Sequence, residues 1–549
     1  MSRGGRTPGP AEAAVRGAPD DPDDLVGLLE HAASRWPDRE AWVFDETGQR
    51  FTFAEIAAHT GAFAAALAGL GVGRGDRVAV MLRNRPEFPL LWLALARLGA
   101  VLVPVNTKYR ELDGEHVLAH SGARLAVTTD EFRDLLESIA PATAVERVLT
   151  VDDLAAGTET AGTATGGTAT GAPSGGTGEL PANIQYTSGT TGAPKGCVLP
   201  QRYWTTLARG LVTDFPHIGA DDTVLTAQPF HYIDPQWNVA LGLYSGARLV
   251  VLDGFHPSTF WHRVREYGVT WFYCLGLMPT LLLRMPPDPD DTRHRVRAVS
   301  ASAIPAELHA ELERRWGVPW YEAFGMTETG SDLRMPPDEH DDFVGTGCLG
   351  RPAPGREVMV ADGHGRPVPR GEQGELLLRG VGMMHGYHDA PEATARAFHG
   401  GWFRTGDLAT MDADGRVFFV GRTKDMIRRS GENIAAEEVE RALLRHPGVR
   451  AAAVVGVDDE LRGEEAKAWV VPTTGTEPGD GNTGETTPDP AELAAFCAGK
   501  LAAFKVPRYW AVVDSLPMTD SERVAKGALR ADDGDPLAGC YDSREGRWR

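Results

Sequence analysis

Apolar positions recur along the chain in two rhythms. "FTFAEIAAHTGAFAAALAGLG", from Phe51 to Gly71, has helical spacing, and the apolar run "RVAVML" follows it. "FPLLWLALARLGAVLVPV", from Phe88 to Val105, predicts a helix running into a buried strand. The same alternation continues at "ARLAVTT" (Ala123–Thr129), "VLTAQPF" (Val224–Phe230), "ARLVVL" (Ala247–Leu252) and "RAVSASA" (Arg297–Ala303). Short apolar strands between amphipathic helices predict an α/β protein of helix-covered, mainly parallel sheets.

After "GELLLRG" (Gly374–Gly380) the pattern changes. "GRVFFVGRTKDMIRRSGENIAAEEVERALLRHP" reads as a strand, a charged joint and a helix, and "VRAAAVVGVDD" and "AKAWVVP" follow as strands. A boundary at about Arg422 to Asp425 separates a large N-terminal domain (24–423) from a small, mobile α+β C-terminal lid domain (424–549). Residues 1–23, rich in Gly, Pro, Ala and Asp, read as a disordered extension. Residues 155–180, almost wholly Gly, Thr and Ala, read as a flexible loop, and 473–490 as a flexible insertion.

A length of 549 residues exceeds what one core serves, which supports more than one domain. The 76 acidic residues outnumber 55 basic ones, giving a formal charge of −21 that argues against nucleic acid as a partner. The five cysteines form no CxxC pair, so neither a disulfide framework nor a zinc site is expected. No apolar run is long enough to span a bilayer, and the N-terminal residues lack the apolar centre of a signal peptide. The expectation is a soluble, cytoplasmic protein with no membrane partner.

Candidate chemistry begins with "YTSGTTGAPKG" (Tyr186–Gly196). Thr187, Ser188, Thr190 and Thr191 supply hydroxyls, Gly189 and Gly192 let backbone approach an anion, and Lys195 adds charge. Gly196 follows the lysine where a P-loop needs Ser or Thr, so the loop is not a P-loop. Alone it also reads as a flexible turn. "YEAFGMTETG" sets Thr327 and Glu328 near Phe324, a hydroxyl beside a carboxylate that suits a phosphate and its magnesium. "WFRTGDLATMDADG" offers Asp407 to ribose hydroxyls, and Arg422 in "GRTKDM" donates to the same sugar.

On these motifs, with "LPMTDSERVAKGALR" near the C-terminus, the chain from about Leu25 to Arg530 resembles the adenylate-forming superfamily of acyl-CoA synthetases, firefly-type luciferases and peptide-synthetase adenylation domains. "KDMIRRSGEN" and "ERVAK" look like the crotonobetaine/carnitine–CoA ligase-like branch. The resemblance implies an AMP-forming acid–CoA ligase using ATP, Mg2+ and coenzyme A. A small, aromatic or polar acid would attack the α-phosphate, releasing pyrophosphate. The lid domain would then rotate, and the coenzyme A thiol would displace AMP.

By position, Thr187, Ser188, Thr190, Thr191 and Lys195 would hold the β- and γ-phosphates, Thr327 the α-phosphate, and Glu328 the magnesium. Adenine would lie between Ser302–Ala303 and Phe324–Gly325, where many relatives have tyrosine in place of the phenylalanine. Lys424 occupies the hinge position, and Arg429, Ser430, Gly431 and Glu432 the loop that swings in for the second step.

The chain departs from the family where most members carry Pro-x-Thr-x-x-Gly-Lys: here Glu522 and Arg523 replace the glycine and lysine. Lys526 would lie one helical turn beyond Arg523 if the stretch is helical. Arg523 for alignment and Lys526 for chemistry are both candidates. His231, Tyr232, Asp234, Gln236, Trp237 and Gly276 are the candidate acid pocket, although Tyr232 and Trp237 read equally as core and Asp234 as part of a helix cap. Two rival readings keep the adenylation step. One is an ATP-dependent diazotase that activates nitrite for attack by an aromatic amine; the other loads a free carrier protein's thiol. Association as a homodimer stays open.

Overall fold

The structure is a computed structural model, and it describes residues 21–161, 177–187, 194–276, 278–422, 425–429, 432–459, 462–473, 488–501, 503–519, 523–530 and 535–549. The chain forms two compact units, Met1–Val358 with Leu378–Phe403, and Met359–Leu377 with Arg404–Arg549.

The first unit holds two α/β layers. One sheet orders Arg147–Thr150, Leu125–Thr128, Arg77–Val80, Val101–Pro104, Pro181–Thr187 and Lys195–Pro200. Its first five strands are parallel, and the last two form an antiparallel hairpin. Strands Leu125–Thr128 and Val101–Pro104 are buried throughout, as expected where helices cover both faces. A second sheet runs Glu40–Phe44, Arg248–Val251, Thr223–Thr226, Trp271–Leu275, Ala298–Ser302 and Trp320–Met326 in parallel. Gly330–Arg334 and Cys348–Pro352 then continue it antiparallel.

Local chemistry sets the helix ends. Thr52 and Glu55 form a reciprocal capping box at the start of helix Phe53–Gly69. Gly246 ends helix Ile233–Ser245 in the left-handed region, at φ 75°, where a side chain would also meet the Trp36 ring.

The second unit builds a seven-stranded sheet around the long pair Val449–Asp459 and Gly463–Pro472. Its core gathers Val439, Leu443, Val454, Val470, Leu493 and Trp510. The charged joint expected between Arg422 and the next helix is instead a hairpin, Met426–Arg429 against Glu432–Ala435. Ile427 and Ile434 face each other there and are both fully buried, giving the hairpin an apolar cross-strand pair among its charges.

The Gly/Thr-rich stretches also differ from expectation at their edges. Helix Val151–Ala161 runs into the first, started by a reciprocal Thr150–Asp153 cap and carried on by alanines. Asp489 caps helix Pro490–Ala498 at the end of the second. Among the described residues no helix is long and apolar enough to cross a membrane.

Candidate functional site

The hydroxyl-rich loop is carried by the hairpin Pro181–Thr187/Lys195–Pro200, which pairs Thr187 with Lys195. Ser188, Gly189, Thr190, Thr191 and Gly192 lie outside the described residues. Gly196 is required by packing: a Cβ there would stand 2.6 Å from Ile184 Cγ2 and 3.2 Å from Tyr186 Cζ. That closeness admits a third strand-like segment. Gly386 O accepts from Val198 N at 2.9 Å, and His388 N donates to Gly196 O at 2.7 Å.

This segment delivers a residue the sequence reading passed over. Tyr387 donates its hydroxyl to Glu328 Oε1 at 2.9 Å, and Lys195 Nζ sits 4.9 Å from the centre of its ring. Burial, then the neighbouring Glu328 charge, push the phenol far above its ordinary range, so it remains a donor. One tyrosine therefore joins two motifs that lie far apart in sequence. No motif pattern marks it; only the tyrosine in "HGYHDAPEATARAF" was available as a signal.

Glu328 lies in the turn between strands Trp320–Met326 and Gly330–Arg334, 8% exposed, with Thr327 half-buried beside it. Gly325 allows the turn to close, because a Cβ would fall 1.9 Å from Gly330 O. Glu328 O accepts from Met384 N at 2.9 Å. Phe324 is partly buried. Ser302, at the end of its strand, donates to Ala323 O at 2.6 Å and bonds the Tyr273 hydroxyl, so its hydroxyl links three strands. Ala303 takes φ 63°, and Glu322 Oε1 accepts from Ile304 N at 3.1 Å. Burial holds the Glu322 carboxyl well above the usual carboxylate range despite bonds from the Ile304 and Ala303 amides.

The candidate acid-pocket residues separate into two groups. Gln236 is wholly buried and internally satisfied: it accepts from Asn183 Nδ2 at 2.6 Å and donates to the carbonyls of Phe230 (2.8 Å) and Tyr232 (3.1 Å). Its expected place as a substrate contact gives way to a structural one. Trp237 packs on Trp271 and Tyr273 at ring separations of 5.8 and 5.5 Å. Tyr232 precedes helix Ile233–Ser245, and Asp234 sits in its first turn, favourable for the helix dipole. His231 is different. It is 5% exposed, and its Nδ1 meets no partner among the described residues. Burial, then the charge of Lys108, depress it to about 3, so the ring is neutral near pH 7. Gly276 takes φ 58° at the end of the neighbouring strand.

In the second unit, Asp407 and Arg422 face each other across adjacent strands, with Arg422 Nε 3.0 Å from Asp407 Oδ1. Gly406, at φ 73°, and the Thr405 hydroxyl, which accepts from Asp407 N at 2.9 Å, shape the backbone there. Lys424, Ser430 and Gly431 lie outside the described residues, and Glu432 begins a hairpin strand. Arg429 turns inward: it pairs with the fully buried Glu465 at 2.7 Å and donates to Phe504 O at 2.7 Å. Its guanidinium is therefore held within the second unit by these partners.

Arg523 and Lys526 do not share a helix. Thr519 and Arg523 close a turn, Thr519 N to Arg523 O at 2.7 Å, and a five-residue helix begins at Lys526. Arg523 is exposed. Lys526 is mostly buried, with Nζ 2.8 Å from Glu440 Oε1 and 3.6 Å from Asp425 Oδ2.

One histidine cluster escaped the sequence reading because its members are brought together only by folding. His309, Glu313 and His340 have ligand atoms within 4.8 Å of one another. The hydrogen bonds argue against a metal there. His309 Nδ1 accepts from Gly345 N at 3.2 Å, leaving the proton on Nε2, which is 2.6 Å from Trp320 O. Burial raises the Glu313 carboxyl, but bonds from His309, His340 and the Trp320 amide outweigh it and bring it to about 2. A depressed carboxylate contributes stability that is present above its unfolded value of about 4.5 and is lost as pH falls towards 2. Glu313→Gln is therefore expected to lower the unfolding temperature at pH 7, with the deficit shrinking from about pH 4.5 down. Parallel melting curves from pH 7 to 3 check this; a deficit independent of pH rejects it.

Comparison with known proteins gives a consistent result. The family profile described as AMP-binding enzyme matches residues 29–388, and that described as AMP-binding enzyme C-terminal domain matches 438–523. A sulfoacetate–CoA ligase from Cupriavidus necator is 33% identical over 92% of this chain and 97% of its own. A crotonobetaine/carnitine–CoA ligase from Salmonella paratyphi B is 31% identical over 92% and 98%. The solved o-succinylbenzoate coenzyme A synthetase from Bacillus subtilis, in complex with ATP and magnesium, superposes with a TM-score of 0.77 at 27% identity, covering 91% of this chain and 98% of its own.

Proposed function

Because the chain belongs to the AMP-binding enzyme family and is an AMP-forming acid–CoA ligase, using ATP, Mg2+ and coenzyme A, we propose that its acid is small and polar or aromatic. The observation that carries the site assignment is Tyr387, whose hydroxyl orients Glu328 while its ring faces Lys195.

In this reading Thr187, Lys195 and the loop hydroxyls of Ser188, Thr190 and Thr191 hold the β- and γ-phosphates. Thr327 meets the α-phosphate. Glu328 is the hard oxygen ligand that a magnesium ion takes, and its fixed orientation and near burial fit that use. When bound, the ion would neutralise charge on the phosphates. Ser302 fixes the backbone where adenine lies against Phe324 and Gly325. Asp407 and Arg422 bind the ribose.

A substrate carboxylate oxygen forms a bond to the α-phosphorus as the bond to the β-phosphate oxygen breaks, releasing pyrophosphate. The coenzyme A sulfur then attacks the acyl carbon, and AMP leaves with the electron pair of the acyl–oxygen bond. Ser430, Gly431 and Glu432 would serve this second step, after rotation about Lys424. His231 supplies a neutral polar wall to the acid pocket, which favours a short polar acid over a long aliphatic one. The named relatives are ligases of organic acids and coenzyme A. They favour an acid over nitrite, and coenzyme A over an amine or a carrier thiol. Consumption of ATP and coenzyme A, together with five buried free cysteines, suits the cytoplasm.

Pyrophosphate release across short polar, aromatic and long-chain acids, with nitrite as a separate arm, tests the proposal. Turnover with a short polar or aromatic acid and coenzyme A is the expected result. Preference for long-chain acids overturns the pocket reading, and release driven by nitrite alone overturns the ligase reading.

A further inference from the structure

Helix Glu111–Ser121 carries His116 and His120 four residues apart, so their rings project from one face and stack at 5.5 Å. Neither belongs to a motif discussed above. His116 Nε2 lies 3.0 Å from Pro194 O, an oxygen that only accepts, so Nε2 carries the proton. His120 Nδ1 lies 2.7 Å from the Tyr186 hydroxyl, within hydrogen-bond reach. Tyr186 and Pro194 flank the hydroxyl-rich loop, one at its entry and one at its exit. A third contact closes the arrangement: the His388 ring stands 5.5 Å from His120, and its backbone amide holds Gly196 O.

We propose that His116 and His120 are positioning residues for ATP, tying the two feet of the phosphate loop to one helix so that the loop's ends are set before the nucleotide arrives. The proposal rests on the reading that this loop receives the triphosphate. The physical reason is preorganisation. Ordering a loop at the moment of binding costs affinity, and anchors already made in the free protein remove part of that cost. Each anchor is one hydrogen bond, and the two act on opposite feet. Loss of either is expected to weaken ATP binding without touching the acid.

The two rings present different atoms, which makes the test chemically selective. Glutamine places an amide N–H near the position of imidazole Nε2, and asparagine places an oxygen near Nδ1. His116→Ala and His120→Ala are each expected to raise the ATP dissociation constant and KM about fivefold, and the double variant on the order of twentyfold, with kcat and the acid KM within about twofold. His116→Gln and His120→Asn return towards the parent value, whereas His116→Asn and His120→Gln do not. An ATP dissociation constant unchanged in the double variant overturns the proposal. So does equal behaviour of all four amide variants with a shared loss of thermal stability, which marks simple packing. Nucleotide titration of the unsubstituted protein comes first. Absence of ATP binding there overturns the loop reading and the proposal with it, whereas ATP binding that ignores the histidines overturns the proposal alone.

Discussion

Glu328→Gln is expected to lower the rate of adenylate formation by about a hundredfold to a thousandfold, read as pyrophosphate release at saturating ATP, with thermal stability little changed. The amide is nearly isosteric and still accepts the Tyr387 hydroxyl, which lies 2.9 Å from Glu328 Oε1. What it lacks is the negative charge that, in the proposed reading, would hold a divalent ion at the phosphates. Tyr387→Phe keeps that charge and loses only its orientation, so a smaller loss, about fivefold to tenfold, is expected. The paired variants separate charge from placement. A Glu328→Gln enzyme within a few fold of the parent removes this carboxylate from the chemistry. A Tyr387→Phe enzyme as slow as Glu328→Gln instead gives the phenol its own part in the reaction.

Arg523→Ala is expected to slow adenylate formation by about a hundredfold while leaving thioester formation from a preformed acyl-adenylate nearly intact. Arg523 is exposed, and in the proposed reading its charge serves only the first half-reaction. Arg523→Lys restores much of the rate, because charge matters there more than the planar fork. Lys526→Ala has a different signature. Its ammonium is 2.8 Å from Glu440 and 3.6 Å from Asp425; its loss removes the cation beside Glu440, while Asp425 keeps Arg530 at 3.2 Å. Burial already pushes the Glu440 carboxyl up, and the loss of Lys526 removes the leading opposing influence. A lower unfolding temperature and impairment of both half-reactions are expected. Measuring the half-reactions separately, beside melting curves, decides the matter. If Lys526→Ala abolishes only adenylate formation at unchanged stability, the two residues exchange parts.

The sequence by itself determined the alternation of helix and strand, the α/β class, the change of character after Gly380, and the motifs proposed to carry phosphate and ribose chemistry. These depend on near neighbours: apolar spacing, capping pairs such as Thr52 with Glu55, and glycines where the backbone must turn. Tertiary structure alone decided which of the named side chains have free chemistry and which are held in the framework. Gln236 and Arg429 read as site residues, yet each is held by partners far along the chain, Asn183 for one and Glu465 for the other. Lys526 looked like a turn of helix beyond Arg523, but the helix begins at Lys526, and Glu440 fixes its ammonium. Tyr387 and the pair His116 and His120 gave no motif signal, because their partners, Glu328, Pro194 and Tyr186, lie 59, 78 and 66 positions away. Hydrogen bonds across such separations depend on how the chain packs, and no local pattern of residue types records them.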